Sequence, residues 1–200
     1  RGNACQAWAI LQGEKKIGLC IYKMIGGELD NGDIISRDYI DIAQETKITA
    51  VHKWMRATIP SLFHQAIDKL DLDKNYLLEK QSIESSEILR TYPRQPDDGR
   101  ILWGMSAHYI LRLINASNKP YSGAFFYLND KKITVWDAKI VDDNEVFLAI
   151  PGQITKITKE FIEVACGRGK LRLTELEQAG NIIKYKDFFN NLQYVIPCEK

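Results

Sequence analysis

Residues 26–34 read Gly-Gly-Glu-Leu-Asp-Asn-Gly-Asp-Ile and set two carboxylates, Asp30 and Asp33, on either side of an Asn-Gly pair. Asn31-Gly32 is a strong turn dipeptide, because Gly takes positive φ without steric cost and Asn tolerates it. The flanking segments are β-like, so both carboxylates are expected at the tip of a hairpin-like connection, where scaffolds commonly carry chemistry. Taken alone, Asp-Asn-Gly also describes a plain solvated turn. The other chemistry-bearing residues are dispersed. His52, His64 and His108 read as helix-face or packing residues. Cys5, Cys20, Cys166 and Cys198 contain no Cys-x-x-Cys pair and read as buried thiols of a reducing compartment, with no disulfide framework, zinc site or other metal site expected. Gly26-Gly27 reads as a turn. Cys166-Gly167-Arg168-Gly169-Lys170 lacks the strand–loop–helix context of a phosphate-binding loop and reads as a barrel turn.

The neighbourhood of the acidic turn is more specific. Upstream run Arg1-Gly2-Asn3-Ala4-Cys5-Gln6-Ala7-Trp8-Ala9-Ile10, Gly13-Glu14, and Ile17-Gly18-Leu19-Cys20-Ile21-Tyr22-Lys23-Met24; downstream come Ile40-Asp41-Ile42 and Glu45-Thr46. This order resembles the folate-dependent formyltransferase family: an Arg-Gly loop, a Trp-bearing helix, a Gly-Glu turn, a strand ending in Met, then Leu-Asp-x-Gly-Asp-Ile. Pro96-Asp97-Asp98-Gly99-Arg100-Ile101-Leu102-Trp103, Pro120-Tyr121-Ser122-Gly123-Ala124-Phe125, Ile150-Pro151-Gly152, Cys166-Gly167 and Gly180 resemble the family's appended C-terminal domain. Nearly the whole chain is covered, in the family's order.

The resemblance implies formyl transfer from 10-formyltetrahydrofolate to an amine, with a trio of Asn, a His two residues later, and the Asp of the Leu-Asp-x-Gly-Asp turn. The Asn-x-His pair would precede Arg1, so only Asp30 carries over as catalytic, and the 200-residue chain alone is expected to be inactive. An amide suits oxyanion stabilisation and an imidazole suits proton removal from the amine. A carboxylate beside the imidazole orients it and stabilises its protonated form. The backbone of residues 31–33 is expected against the folate's pterin edge, which makes Asn31, Gly32 and Asp33 cofactor-binding candidates. Asp33 can equally cap its own turn. Arg1 with Gly2 and Asn3 would begin the loop closing one side of the cleft. Arg94 and Asp97, in a segment resembling the family's Arg-x-x-Pro-Asp-Asp, are the acceptor-binding candidates. An ion-paired linker is the competing reading of that segment.

The expected fold is α/β: the C-terminal part of a Rossmann-like formyltransferase domain (1–92), a linker (93–99), an OB-like β-barrel domain (100–185) and a tail (186–200). A short helix is expected over 4–11 and paired strands over 17–24 and 32–42. A long helix capped at Glu45-Thr46 follows through Ile48, Val51, Met55, Ile59, Leu62, Phe63, Ala66 and Leu70, with a kink or break at Pro60. Trp54 and His64 are assigned to its packed face. Residues 71–99 are polar, with Pro, Gly and charge concentrated over 92–99, as in a crossing between domains. A helix from Ser106 precedes short strands over 124–128, 132–138, 152–158, 161–166 and 171–176, the pattern of a small barrel.

A hydrophobic fraction of 45% and a charged fraction of 26% are ordinary for a globular protein. A net charge of +1 gives no electrostatic case for nucleic acid or a membrane surface, and no apolar run approaches a membrane span. The expected location is cytoplasmic. Two acceptors compete: a nucleotide-linked amino-deoxysugar and initiator methionyl-tRNA. The Trp8-bearing start and Phe126 to Ala138 resemble the sugar enzymes. From Asp97 to Lys184, 12 Lys and Arg face 11 Asp and Glu, a net of +1, where an RNA-binding surface usually carries a clear basic excess. A third reading makes the chain a non-catalytic fragment or degenerate homologue that only binds a ligand or partner. Phe188, Phe189 and Tyr194 could serve a homodimer, or cap the barrel core.

Overall fold

A computed structural model describes residues 1–27, 30–142, 145–185, 189 and 195–197. The chain divides into two compact units, Arg1–Arg94 and Gln95–Lys200.

The first unit is a hairpin held between helices. Helix α1 (Cys5–Gln12) ends at Gly13, whose φ of 76° lets its N–H cap Ala9 and Ile10. Strands β1 (Lys16–Tyr22) and β2 (Ile34–Asp41) pair antiparallel. Helix α2 (Ile48–Leu72) then lies along the hairpin. Ala7, Ile10, Leu11, Ile17, Ile34, Ile35, Ile48, Val51, Leu62 and Ala66 form its core.

Several expectations fail here for physical reasons. Helix α2 runs through Pro60 unbroken. Pro removes one helical hydrogen bond, but Leu62 just beyond is buried and its carbonyl accepts the Ser36 hydroxyl at 2.9 Å. Tertiary packing of β2 on that turn outweighs the local preference. The cap falls on Lys47, not on Glu45-Thr46; the Thr46 hydroxyl instead accepts from the Ala43 N–H. Ile59 and Phe63 are exposed, and so is His64, because the two-stranded hairpin covers only one stripe of a 25-residue helix. Nor is all of 71–99 a crossing. Leu78 and Glu79 add to the edge of β2 through Ile34, and Thr91 pairs with Gly2. Residues 78–92 therefore form a return strap of the first unit.

The second unit is a mainly antiparallel β-domain carrying one helix. After a 3-10 turn over Pro96–Gly99, Ser106 caps α3 (Ala107–Ala116) by accepting from the Tyr109 N–H. Strands β3 (Ala124–Leu128), β4 (Lys131–Ile140), β5 (Ile154–Ile157), β6 (Ile162–Ala165), β7 (Lys170–Gln178) and β8 (Asn181–Ile182) follow. Their order is β3-β4-β7-β6-β5, with β8 on β7. This is the small β-domain anticipated from the run of short strands, and the OB-like domain of the α/β fold that the family resemblance implied. Inward residues Ile133, Val135, Leu171, Leu173 and Leu176 meet Ile110 and Ile114 of α3, and Trp103 packs edge-on against Phe126. The Cys166–Gly169 connection is the β6–β7 turn, where a Cβ on Gly167 would sit 1.9 Å from the Gly104 carbonyl oxygen. Only glycine fits there. Phe189 is buried, so it caps the core; Phe188, Tyr194 and Cys198 lie outside the described residues. Cys166 is buried, but Cys5 and Cys20 are only half-buried, contrary to the expectation of uniformly buried thiols.

Candidate active site

The acidic loop is longer and more constrained than a two-residue turn. Eleven residues, 23–33, join β1 to β2, and the Lys23 N–H donates to the Asp33 carbonyl to close its neck. Positive φ falls on Asp30 (55°) and Gly32 (144°), not on Asn31. A Cβ on Gly32 would lie 1.9 Å from the Lys23 carbonyl oxygen, so the chain can fold back on itself only at a glycine. Asp33 shapes the turn through its main chain.

Asp30 is not at a free tip. Its Oδ2 accepts the Gly2 N–H at 2.9 Å, and the Tyr22 hydroxyl stands 3.5 Å from Oδ1. The carboxylate is therefore clasped between the acidic loop and the loop of residues 1–3. That second loop is held from beneath by Thr91. The Asn3 N–H donates to the Thr91 carbonyl, the Thr91 N–H donates to the Arg1 carbonyl, and the Thr91 hydroxyl donates to the Asn3 carbonyl at 2.8 Å. The Arg1 guanidinium donates to Gln81 Oε1 at 3.0 Å and to the Ser82 carbonyl at 2.6 Å. Gln81 Nε2 in turn donates to the Gly32 carbonyl at 2.7 Å.

An open groove of about 900 Å³ runs beside this cluster. Its polar lining includes Arg1, Asn31, Gly32, Asp33, Lys80 and Gln81, and its apolar lining Ile25, Ile83 and Ile88. The fold thus brings Asp30, Asn31, Gly32, Asp33 and Arg1 together. Arg94 lies elsewhere in the first unit, its guanidinium 6.0 Å from the centre of the Trp8 ring, while the Trp8 indole N–H donates to the Tyr92 carbonyl. Trp8 also lines a second, mostly apolar cavity of about 470 Å³ with Cys5, Ala9, Leu89 and Thr91. Asp97 belongs to the second unit, where its carbonyl accepts the Arg100 N–H and the neighbouring Asp98 carboxylate accepts from the Gln95 N–H.

Electrostatics stiffen the strap that backs the groove. Arg37 pairs with Glu79 at 3.0 Å, and this contact, followed by the Tyr39 hydroxyl, raises the guanidinium's pKa further above its ordinary value. Among the described residues no cluster of His, Cys, Asp and Glu could hold a metal ion, and no helix is long and apolar enough to cross a membrane. Gln81, Thr91 and Tyr22 are the site residues that sequence reasoning missed. Their partners lie far along the chain and no local pattern marks them.

A two-unit chain with a clasped Asp-x-Gly-Asp loop and an OB-like domain defines a class that comparison with known proteins settles. The family model described as "Formyl transferase, C-terminal domain" matches residues 94–193, and the chain belongs to the formyltransferase family. A methionyl-tRNA formyltransferase of Pelotomaculum thermopropionicum is 30% identical over 180 residues, covering 90% of this chain and 55% of that protein. The bifunctional polymyxin resistance protein ArnA of Wigglesworthia glossinidia brevipalpis is 32% identical over 148 residues, 70% of this chain and 21% of that one. Among solved structures, HypX from Aquifex aeolicus in complex with tetrahydrofolic acid has a TM-score of 0.69 at 15% identity, covering 98% of this chain and 34% of that one. WlaRD, a sugar 3N-formyl transferase solved with dTDP and 5-N-formyl-THF, gives 0.66 at 14%, covering 90% and 61%. These low identities speak to fold alone. The chain spans about half the length of the methionyl-tRNA enzyme and about a fifth of ArnA.

Proposed function

We propose that the protein containing this chain transfers a formyl group from 10-formyltetrahydrofolate to the amino group of a nucleotide-linked amino-deoxysugar, and that Asp30 serves the transfer. The observation that carries this reading is the clasp on Asp30: one carboxylate oxygen takes the Gly2 N–H, and the three residues that follow it, Asn31, Gly32 and Asp33, line an open groove. Such a carboxylate can orient a neighbouring imidazole and stabilise its cation as the incoming amine loses its proton. By family resemblance the imidazole and an oxyanion-stabilising amide come from an Asn-x-His pair outside this chain.

When bound, the folate supplies an electrophilic formyl carbon. The groove fits such a ligand chemically, since a flat heterocycle needs apolar faces and a polar edge, and Ile25, Ile83 and Ile88 line it together with Asn31, Gly32 and Asp33. These residues would hold the ring and keep water from it. Arg94 would meet the acceptor, its planar fork of donors suiting a diphosphate. A sugar 3N-formyl transferase solved with dTDP shares this chain's fold.

The methionyl-tRNA reading has one specific observation in its favour, the 30% identity over 180 residues to such an enzyme. Charge weighs against it, since residues 97–184 carry a net of only +1. The two readings separate on salt. A sugar enzyme should formylate an amino-deoxysugar nucleotide at a rate only mildly sensitive to salt. An enzyme that neutralises about six phosphates loses about 10³-fold in RNA affinity between 50 and 200 mM salt. Tight, salt-sensitive binding of initiator tRNA by the full-length protein, with no turnover of amino-sugar nucleotides, would overturn the sugar assignment.

A further inference from the structure

We propose that Gln81 is a positioning residue for Asp30, its side-chain amide cross-linking the two loops that clasp the carboxylate. The inference rests on the catalytic reading of Asp30 and adds to it the device that sets the carboxylate's place. Asp30 accepts one short bond, from the Gly2 N–H at 2.9 Å, while its second partner, the Tyr22 hydroxyl, stands at the outer limit of 3.5 Å. The aim of the carboxylate therefore depends on where Gly2 lies. Residues 1–3 are tethered on one side by the Thr91 main chain. Gln81 adds a side-chain tether from this loop to the acidic loop.

Its oxygen accepts from the Arg1 Nε at 3.0 Å, and its nitrogen donates to the Gly32 carbonyl at 2.7 Å. The amide orientation follows from these partners: turned over, it would face NH₂ against a guanidinium and oxygen against a carbonyl. Gln81 thus fixes Arg1, next to the Gly2 donor, relative to Gly32, two residues beyond Asp30. Its hydrogen bonds go to Arg1 and Gly32 and not to the carboxylate, and it acts through the spacing of the loops.

The test uses the full-length protein with Gln81→Leu, which removes both bonds at similar size, and Gln81→Glu, which keeps the acceptor for Arg1 but sets an oxygen against the Gly32 carbonyl. Both should lower kcat by about tenfold or more while KM for the acceptor stays within about threefold, because a mispositioned carboxylate weakens the transition state and not acceptor binding. In an Asp30→Asn background, measured at high enzyme concentration, neither should lower the residual rate by more than about twofold, since a residue acting through Asp30 has nothing left to position. If Gln81→Leu fails to fold, Gln81→Glu carries the same comparison. Wild-type kcat in the Gln81 variants beside a crippled Asp30→Asn enzyme would overturn the positioning role alone. A further tenfold loss on top of Asp30→Asn would also overturn it. Full activity of Asp30→Asn itself would instead sink the functional reading beneath it.

Discussion

At the scale of single residues, the acidic loop holds one side chain in an unfavourable backbone region. Asp30 sits at φ 55°, a left-handed conformation that a residue with a Cβ adopts at some cost, and Asp is among the residues that tolerate it best. Gly32 bears the sharper constraint. Gly32→Ala would drive a Cβ into the Lys23 carbonyl and should destabilise the first unit by at least about 1–3 kcal/mol, read as a fall in the urea midpoint. Unchanged stability would mean the loop has another conformation of similar energy. Arg94→Ala tests the acceptor assignment: a raised acceptor KM with donor binding intact is expected, and unchanged acceptor kinetics would leave Arg94 as a residue packed against Trp8. The Asp30 motif is legible in sequence because its members are contiguous. The clasp is not legible, since Gly2 and Gln81 meet Asp30 and Gly32 across 28 and 49 residues of chain.

Among the elements, legibility follows locality. Strand β3 spans residues 124–128 as expected from its short apolar run, and α3 begins after Ser106 because the cap and the apolar stripe agree. The return strap was hidden, since its polar residues bond to backbone groups of distant segments and show no period. Pro60 misled for the converse reason: a local rule was overridden by burial of Leu62 against β2. Helix α2 also carries a titratable probe. Burial of His52, and then the nearby Arg56 charge, lower its imidazole pKa from the ordinary 6.5. The fold therefore favours the neutral ring. The associated stability is whole above pH 6.5 and drains as pH falls below it toward the folded-state value. Urea unfolding at about pH 7.5 and about pH 5.5 should show this loss, and His52→Gln should flatten it. An identical slope in the variant would assign the acid loss to other groups.

Over the whole molecule, the family model matches the second unit, residues 94–193, while the candidate chemistry rests on the first. The near balance of charge, 27 Lys and Arg against 26 Asp and Glu, favours a small-molecule acceptor over a polyanion. The central claim is narrower than the acceptor: that the clasped Asp30 carboxylate serves formyl transfer. It is tested most directly by turnover of 10-formyltetrahydrofolate with an amino-deoxysugar nucleotide in the full-length protein and its Asp30→Asn variant, at matched thermal stability. The expected result is a loss of kcat of about 10³-fold or more, as when the carboxylate partner of a catalytic histidine is neutralised. Near-normal turnover by the variant would contradict the account.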